Sequence, residues 1–551
     1  MARKVPLPSM AGKPGFVTAW YVLGPFRSGC TDGEDVTFLS PKHTRYWDLD
    51  LCGEKTCRPR AGKTVKAQGL SRKWQAVVTP YFHWLEPERI HSLDPAKKEW
   101  LWKEAKFKWW EALDSISYAA AYIYSDSARE VLAHAGGWDG YKLWFNGDLI
   151  GEEHSWHHQI LDQHSFVVSL KKGLNLFLMK IDRSRVMLRL TELGGFPLKG
   201  VSAALPDGTD KNTLIFGNEA SYDAVDTLRR VALEFRPGMP APLSGKKAIG
   251  AWQKKFGRVL KGLLLPEGPA KGKLHVRKLS SSDEGEYLKE KIELWKDGSF
   301  SRIPAYVLVP KKKNGAGMVG LHGHGKGKIE VVEVPDPRPA GSCYYDRSGV
   351  SYALRGYVVI AIDALGFGER ESPGFDNCQI LHTGVNLLGR DLISYHLQDY
   401  ITAVDYLCSR KDVDRKKIGC AGNSFGGVSA YMLAAVDKRI SACVASCCTT
   451  SYTEFLQELE DFVCGSQVLK SVFKYGDISD IMSLIAPRPL FIEAGTLDYL
   501  FSSHFAGEAE KKLRRVYAEL NAAEKFGSDF FDGGHRFNGA KSHGWTDKQL
   551  I

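Results

Sequence analysis

The sequence predicts a chain of two unlike parts. An all-β sandwich over residues 1–235 comes first, then a linker over 236–247, then an α/β domain with a mostly parallel central sheet over 248–551. Three observations carry this. The first part holds eleven of the fourteen tryptophans and short alternating segments broken by Gly, Asn and Asp. The stretch FRPGMPAPLSGKK (235–247) packs three prolines and two glycines into thirteen residues, the composition of a domain boundary. Beyond it, continuous apolar runs alternate with helical patterns, as in a parallel sheet buried on both faces. A length of 551 residues also exceeds what one ordinary core supports.

In the first part, TAWYVLGPF (18–26), YKLWFNGDLI (141–150), HSFVVSL (164–170) and NLFLMKID (175–182) read as half-buried antiparallel strands, and Asn146-Gly147 as a hairpin turn. Tryptophan faces could stack on sugar rings, although sandwich cores use the same residue as filler. EWLWKEAKFKWW (99–110) is the expected exposed aromatic surface. The histidines of HSWHHQILDQH (154–164) lack acidic or cysteine partners at ligand spacing, so this piece reads as a solvated loop before it reads as a metal site.

The second part should open with an amphipathic helix, because Ala248, Trp252, Phe256 and Leu260 recur at helical spacing. Strands are expected at LHVRKL (274–279), EYLKEKIELW (286–295) and IPAYVLVP (303–310). The apolar runs GMVGLHG, YVVIAID, KIGCAG, SACVAS and PLFIEAG then supply the parallel strands.

Composition narrows the function. With 44% hydrophobic and 25% charged residues, and no apolar run of membrane-crossing length, the chain has globular composition and no membrane partner is expected. A formal charge of +10 is modest for this length and Lys311-Lys312-Lys313 sits in a turn-like setting, so no nucleic-acid partner is expected either. The N-terminus lacks the apolar segment of a signal peptide. The chain as written therefore reads as cytoplasmic, and as periplasmic or secreted only if a leader has been removed. The eleven cysteines are scattered, and the close pairs Cys52/Cys57 and Cys447/Cys448 lack four-ligand zinc spacing, so no metal is expected.

The chemistry centres on Gly422-Asn423-Ser424-Phe425-Gly426, a G-x-S-x-G pattern. Chance alone would produce a match in roughly a third of chains this long, so its setting decides. Lys417–Ala421 reads as a strand and Val428–Val436 as a helix, and a tight turn between them would lift the Ser424 hydroxyl above the sheet edge. The flanking glycines let helix and strand approach without a Cβ clash. Ser424 needs a base. Of the histidines that follow it, His535 lies in the glycine-bracketed FFDGGHRFNG, His504 at the expected start of a helix, and His543 in a polar tail, so His535 is the base. Asp498, in the loop after the strand Leu490–Ala494, is the acid that fixes its tautomer. Glu493 is the rival, but its place within the strand points it into a sheet face. Two N–H groups should hold the oxyanion: that of Phe425, and that of His324 or Gly325 in MVGLHGHGKGK (318–328). The same loop lacks phosphate-loop spacing.

With these residues assembled, the second part resembles the α/β-hydrolases of the acetylxylan-esterase and dienelactone-hydrolase-like groups, from about Trp252 to the C-terminus. The landmarks are LHGHGKGK, AIDALGFGERE (361–371), GVNLLGRDLISYHLQDYITAVDYL (384–407), DRKKIGCAGNSFGG, IAPRPLFIEAGTLD and GGHRF. GYKLWFNGDLIGEE and LKKGLNLFLMKID resemble jelly-roll sugar-binding-like domains over about 50 residues. The resemblance implies a serine esterase with a Ser424–Asp498–His535 triad, no cofactor, and a small-molecule or carbohydrate ester as substrate. Asp363, Glu369 and Arg370, which should border the active-site mouth, read as a structural ion-pair turn before they read as substrate contacts. The Phe425 ring is expected to narrow or line the acyl pocket. Two other readings stand beside it: a prolyl-oligopeptidase-like serine peptidase, which a Xaa-Pro amide would reveal, and an inactive carbohydrate-binding protein. The sequence leaves the oligomeric state open.

Overall fold

Apolar runs of five to seven residues, buried almost throughout, form the centre of the sheet that carries the site. A computed structural model of the chain describes residues 3–5, 7, 15–27, 47–78, 85, 115–137, 140–154, 162–182, 186–205, 214–215, 228, 231, 235–299, 301–333, 347–457, 464–496, 498, 500–501 and 503–551. It divides into two compact units, Met1–Arg230 and Val231–Ile551.

The first unit is β-rich, with a nine-stranded, a three-stranded and a two-stranded sheet among the described residues. Nearly all pairings are antiparallel; Leu214–Ile215 against Gln75–Val78 is parallel. The expected segments appear as strands Ala19–Arg27, Gly140–Phe145, Asp148–His154, His164–Leu170 and Gly173–Asp182, with the hairpin turning at Asn146-Gly147. Both larger sheets feed one buried cluster, Tyr118 and Phe177 from one side and Val131 and Leu188 from the other. Trp20, Trp47, Trp74 and Trp144, the tryptophans of this unit among the described residues, are all buried. They are core filler. The aromatic stretch 99–110 and residues 155–161 lie outside the described residues. His164 hydrogen-bonds the Tyr141 hydroxyl at 2.6 Å.

The second unit has strands β1 (Leu274–Asp283), β2 (Tyr287–Lys296), β3 (Ile303–Pro310), β4 (Gly317–Leu321), β5 (Val358–Ile362), β6 (Ile418–Asn423), β7 (Ile440–Ser446), β8 (Leu490–Gly495) and β9 (Phe526–Phe531). Its helices are α1 (Lys246–Leu264), α2 (Ile329–Val332), α3 (Ser348–Leu354), α4 (Asn377–Leu387), α5 (Leu392–Ser409), α6 (Phe425–Val436), α7 (Tyr452–Gln457), α8 (Ile478–Ser483), α9 (Ser503–Glu519) and α10 (Ser542–Leu550). The strand order is β1-β2-β3-β5-β4-β6-β7-β8-β9. The first three strands join antiparallel, and every neighbour pair from β5 to β9 is parallel. Strands β4 to β8 are buried at every residue but Ser441, because helices cover both faces. This is the α/β-hydrolase architecture that the resemblance implies.

Helix α1 buries Ile249, Trp252, Phe256, Leu260 and Leu264, with Trp252 stacked on Phe256 at 5.2 Å. The stripe starts at Ile249, whereas Ala248 is exposed. Each of these large side chains contributes about 1.5–3 kcal/mol by burial, so Phe256→Ala would cost about 3–5 kcal/mol. His543 is not in a tail; it lies in α10, its ring edge-on to Tyr352 at 4.9 Å. Among the described residues, no helix is long and apolar enough to cross a membrane.

Candidate active site

In an open parallel sheet, the C-terminal strand ends are where loops can gather side chains from distant parts of the chain. Ser424 sits at the end of β6, immediately before α6, whose helical turn begins at Phe425 rather than at the expected Val428. Its backbone, at φ 57° and ψ −123°, is one a residue with a Cβ adopts only under strain. The turn is held from both sides: the Ser424 N–H donates to Ser446 O at 2.9 Å, and its carbonyl accepts from Val428 N at 2.9 Å.

The flanking glycines are needed for space. Neither Gly422 nor Gly426 is at positive φ. A Cβ on Gly426 would overlap the carbonyl of Leu321 at the end of β4, and one on Gly422 would meet the backbone of Gly426. A Cβ on Gly427 would strike Cys448 and Ser446. The Ser424 side chain is fully buried, and its hydroxyl makes no hydrogen bond within 3.5 Å to a described residue.

His535 and Asp498 meet at the ends of β9 and β8. The His535 Nδ1–H donates to both Asp498 carboxylate oxygens, at 3.0 and 2.9 Å. Asp498 Oδ1 also accepts from the amides of Leu500 and Phe501, at 2.8 and 3.1 Å, which pins the carboxylate. The His535 ring stacks on Phe501 with its plane inclined by 17°. Since Nδ1 carries the proton toward Asp498, Nε2 is left as the basic nitrogen. His504 lies near the start of α9, as expected from the sequence.

Glu493 is buried in β8 and accepts from Asn538 N (3.0 Å) and Gly539 N (2.9 Å), so it braces the loop that carries His535. Burial raises its pKa above the usual carboxylate value. This support was not legible in the sequence, where Glu493 figures only as a rival acid. Cys447, read from sequence only as one of a close cysteine pair, also lies here. Its thiol hydrogen-bonds Arg536 O at 3.2 Å and lies within 4.8 Å of the Asp498 and His535 ligand atoms, with a pKa pushed well up by burial. It is a protonated thiol beneath the pair.

The loop after β4 is braced at nearly every residue. The His322 ring is buried; its Nδ1–H donates to Gly323 O at 2.7 Å and its Nε2 accepts from Ala364 N at 3.1 Å, which fixes a neutral tautomer. Burial lowers its pKa accordingly. Lys328 pairs with Asp363 and Glu369, each at 2.5 Å, and Arg370 pairs with Asp399 at 2.5 Å. The GFGER turn is thus structural. Phe425 is fully buried, stacked on Phe367 at 5.2 Å beside His322 and His396, so its ring anchors the base of the turn. Its amide is one of the first N–H groups of α6, which have no acceptor within the helix. Gly325 packs against the Glu330 carboxylate. The His324 ring reaches Cys378 and Cys464, each at 3.1 Å. The Cys464 thiol is pushed down to about 4, first by the hydrogen bond with Cys378 and then by His324.

A model of the Prolyl oligopeptidase family matches residues 345–501, a stretch that includes Ser424 and Asp498 and ends before His535. "Putative hydrolase YtaP" of Bacillus subtilis (strain 168) is 32% identical over 270 residues, covering 47% of this chain and 87% of that protein. Among solved structures, a "putative acetyl xylan esterase" from Bacteroides fragilis NCTC 9343 is 16% identical, with a TM-score of 0.47 over 57% of this chain and 83% of its own. A promiscuous CE15 esterase from a marine bacterial metagenome is likewise 16% identical, with a TM-score of 0.45 over 57% of this chain and 98% of its own.

Proposed function

We propose that this chain, which belongs to the family of the putative hydrolase YtaP and matches the Prolyl oligopeptidase family over residues 345–501, is a serine carboxylic-ester hydrolase working through an acyl-enzyme. The observation that carries this reading is Ser424 on its strained, glycine-flanked turn. The His535–Asp498 hydrogen bond supplies the oriented base that such a serine requires.

In this reading His535 Nε2 takes the Ser424 proton as Oγ bonds to the ester carbonyl carbon. The amides of Phe425 and of His324 or Gly325 hold the oxyanion. His535 then protonates the leaving alcohol as its C–O bond breaks. Water, deprotonated by His535, attacks the acyl carbon, and His535 returns that proton to Ser424 Oγ as the acyl C–Oγ bond breaks and the carboxylic acid leaves. Every proton is handled by side chains, so the cycle needs no cofactor.

The substrate we favour is an acetyl or other small acyl ester on a carbohydrate. Buried polar atoms of Asn423, the last residue of β6, and of Thr450, in the loop after β7, have no hydrogen-bond partner among the described residues. Buried polar groups are rarely left unpaired, and a hydroxyl-rich alcohol would satisfy them. The jelly-roll resemblance of the first unit adds to this.

A peptidase reading is favoured by the description of the matching family. Against it, the described strands of the first unit form sheets of nine, three and two strands rather than repeated four-stranded blades. The test compares wild type and Ser424→Ala on p-nitrophenyl acetate, acetylated xylo-oligosaccharides and a Xaa-Pro anilide. Ester turnover that falls by about 10³-fold or more in the variant, with the anilide untouched, supports the esterase. Anilide cleavage that exceeds ester cleavage would replace it with the peptidase, and glycan binding without turnover would replace it with a binding protein.

A further inference from the structure

Three metal-ligating atoms that are not part of the triad converge. His324 Nε2 lies 3.1 Å from Cys378 Sγ and 3.1 Å from Cys464 Sγ, and the three atoms are all within 4.8 Å of one another. They come from separate elements: the loop after β4, the first turn of α4, and the residue preceding the 3-10 turn Gly465–Gln467. The geometry points to a binding site for a soft divalent cation, Zn²⁺ by its ligand chemistry, held by His324, Cys378 and Cys464. This inference does not rest on the esterase reading.

Thiolate and imidazole are the donors that zinc selects. Zinc bonds of about 2.3 Å to sulfur and about 2.0 Å to nitrogen, at tetrahedral angles, put neighbouring donors about 3.5 Å apart. The observed spacing is a few tenths shorter, which a small outward movement of three side chains corrects. A disulfide between the two cysteines is the simpler use of adjacent thiols, but it has no need of an imidazole. Here the ring nitrogen is equidistant from both sulfurs, as a third donor to a shared centre would be.

A separate observation concerns the fourth position. His382 follows Cys378 by four residues on α4 and so shares its helix face. Its ring packs on Gly465, the neighbour of Cys464, and its Nδ1 is buried without a hydrogen-bond partner among the described residues. Its Nε2 accepts from the Asn386 side-chain amide at 2.8 Å and it is not among the three donors that lie within 4.8 Å of one another, so a water, or a His382 that has rotated, would complete the four-coordinate site. The bound cation would tie the loop carrying the proposed oxyanion donor to α4.

The full-length protein, reduced and stripped with chelator, is titrated with Co²⁺ and then Zn²⁺. The inference predicts one equivalent of Co²⁺ with a thiolate-to-cobalt charge-transfer band and intense tetrahedral d–d bands, bleached by one equivalent of Zn²⁺. Cys378→Ser and Cys464→Ser, shown folded by circular dichroism, should each bind at least about tenfold more weakly. Cys408→Ser, a half-buried thiol on α5 outside the cluster, should behave as wild type. Absence of the band in the wild type overturns the inference even if the cysteine variants do not fold. So does a band that persists in both folded variants. Air oxidation that links Cys378 to Cys464 in a protein that binds no Co²⁺ after reduction makes the pair a redox couple and likewise overturns it.

Discussion

The two arms of the site are held by different forces. The nucleophile's arm, where β6 meets α6, is fixed by exclusion: Gly422, Gly426 and Gly427 have backbone or sulfur where a Cβ would stand. The base's arm, from β8 to the loop after β9, is fixed by attraction: Asp498 accepts from two amides and from His535, and Glu493 accepts from two more amides. A steric constraint leaves its mark as glycine at fixed spacing. A hydrogen-bonded constraint leaves none, since a buried Glu and a catalytic Asp look alike in a string of letters.

If the arms differ in this way, substitutions should separate them. Asp498→Asn strikes the base's arm at its chemistry. It should lower kcat by about 10³–10⁴-fold through the wrong imidazole tautomer, with the thermal midpoint little changed. Gly426→Ala strikes the other arm at its packing. The new methyl overlaps Leu321 O, so activity should fall at least about 100-fold together with about 3–5 kcal/mol of stability, read by denaturant titration. Equal stability losses in the two variants would erase the contrast.

In stability, Glu493→Ala should fall between them, with a smaller loss of activity than either. It leaves the Asn538 and Gly539 amides unpaired, costing about 2–4 kcal/mol and about tenfold in kcat with KM unchanged, because the His535 loop loosens. Glu493→Gln keeps an acceptor and should recover most of the loss. A kcat that does not move in Glu493→Ala would make the residue structural only.

The smallest effect is a pH dependence. Burial pushes His396 down to about 3 and His543 down to about 4 from an ordinary 6.5. Below pH 6.5 the unfolded chain binds protons that the folded chain refuses. Stability is therefore fully present above that pH and is lost as pH falls toward 3–4, by up to roughly 1.4 kcal/mol per unit for each histidine. His543→Gln should flatten the thermal midpoint between pH 6.5 and about 4. An unchanged slope would remove His543 from the account.

The same division explains what could be read from sequence. The parallel strands were legible because burial on both faces forces unbroken apolar runs, and the serine turn because close approach forces glycine. The expected acid and base meet across 37 residues, found from loop position after the last two strands. What stayed hidden was long-range and polar. His324 meets Cys378 and Cys464 across 54 and 140 residues, so no spacing rule could join them. Ile249 rather than Ala248 opens the stripe of α1 because a helical period fixes the spacing of a face more firmly than its first residue. The tryptophans of the first unit were open to two readings, core filler before sugar surface, and the described rings are in the core.

The most direct test of the central claim is labelling of the full-length protein with a fluorophosphonate probe, followed by peptide mapping. The account predicts a single adduct on Ser424, absent from Ser424→Ala and formed more slowly in Asp498→Asn. An adduct on any other residue, or none in a folded protein that turns over esters, would contradict it.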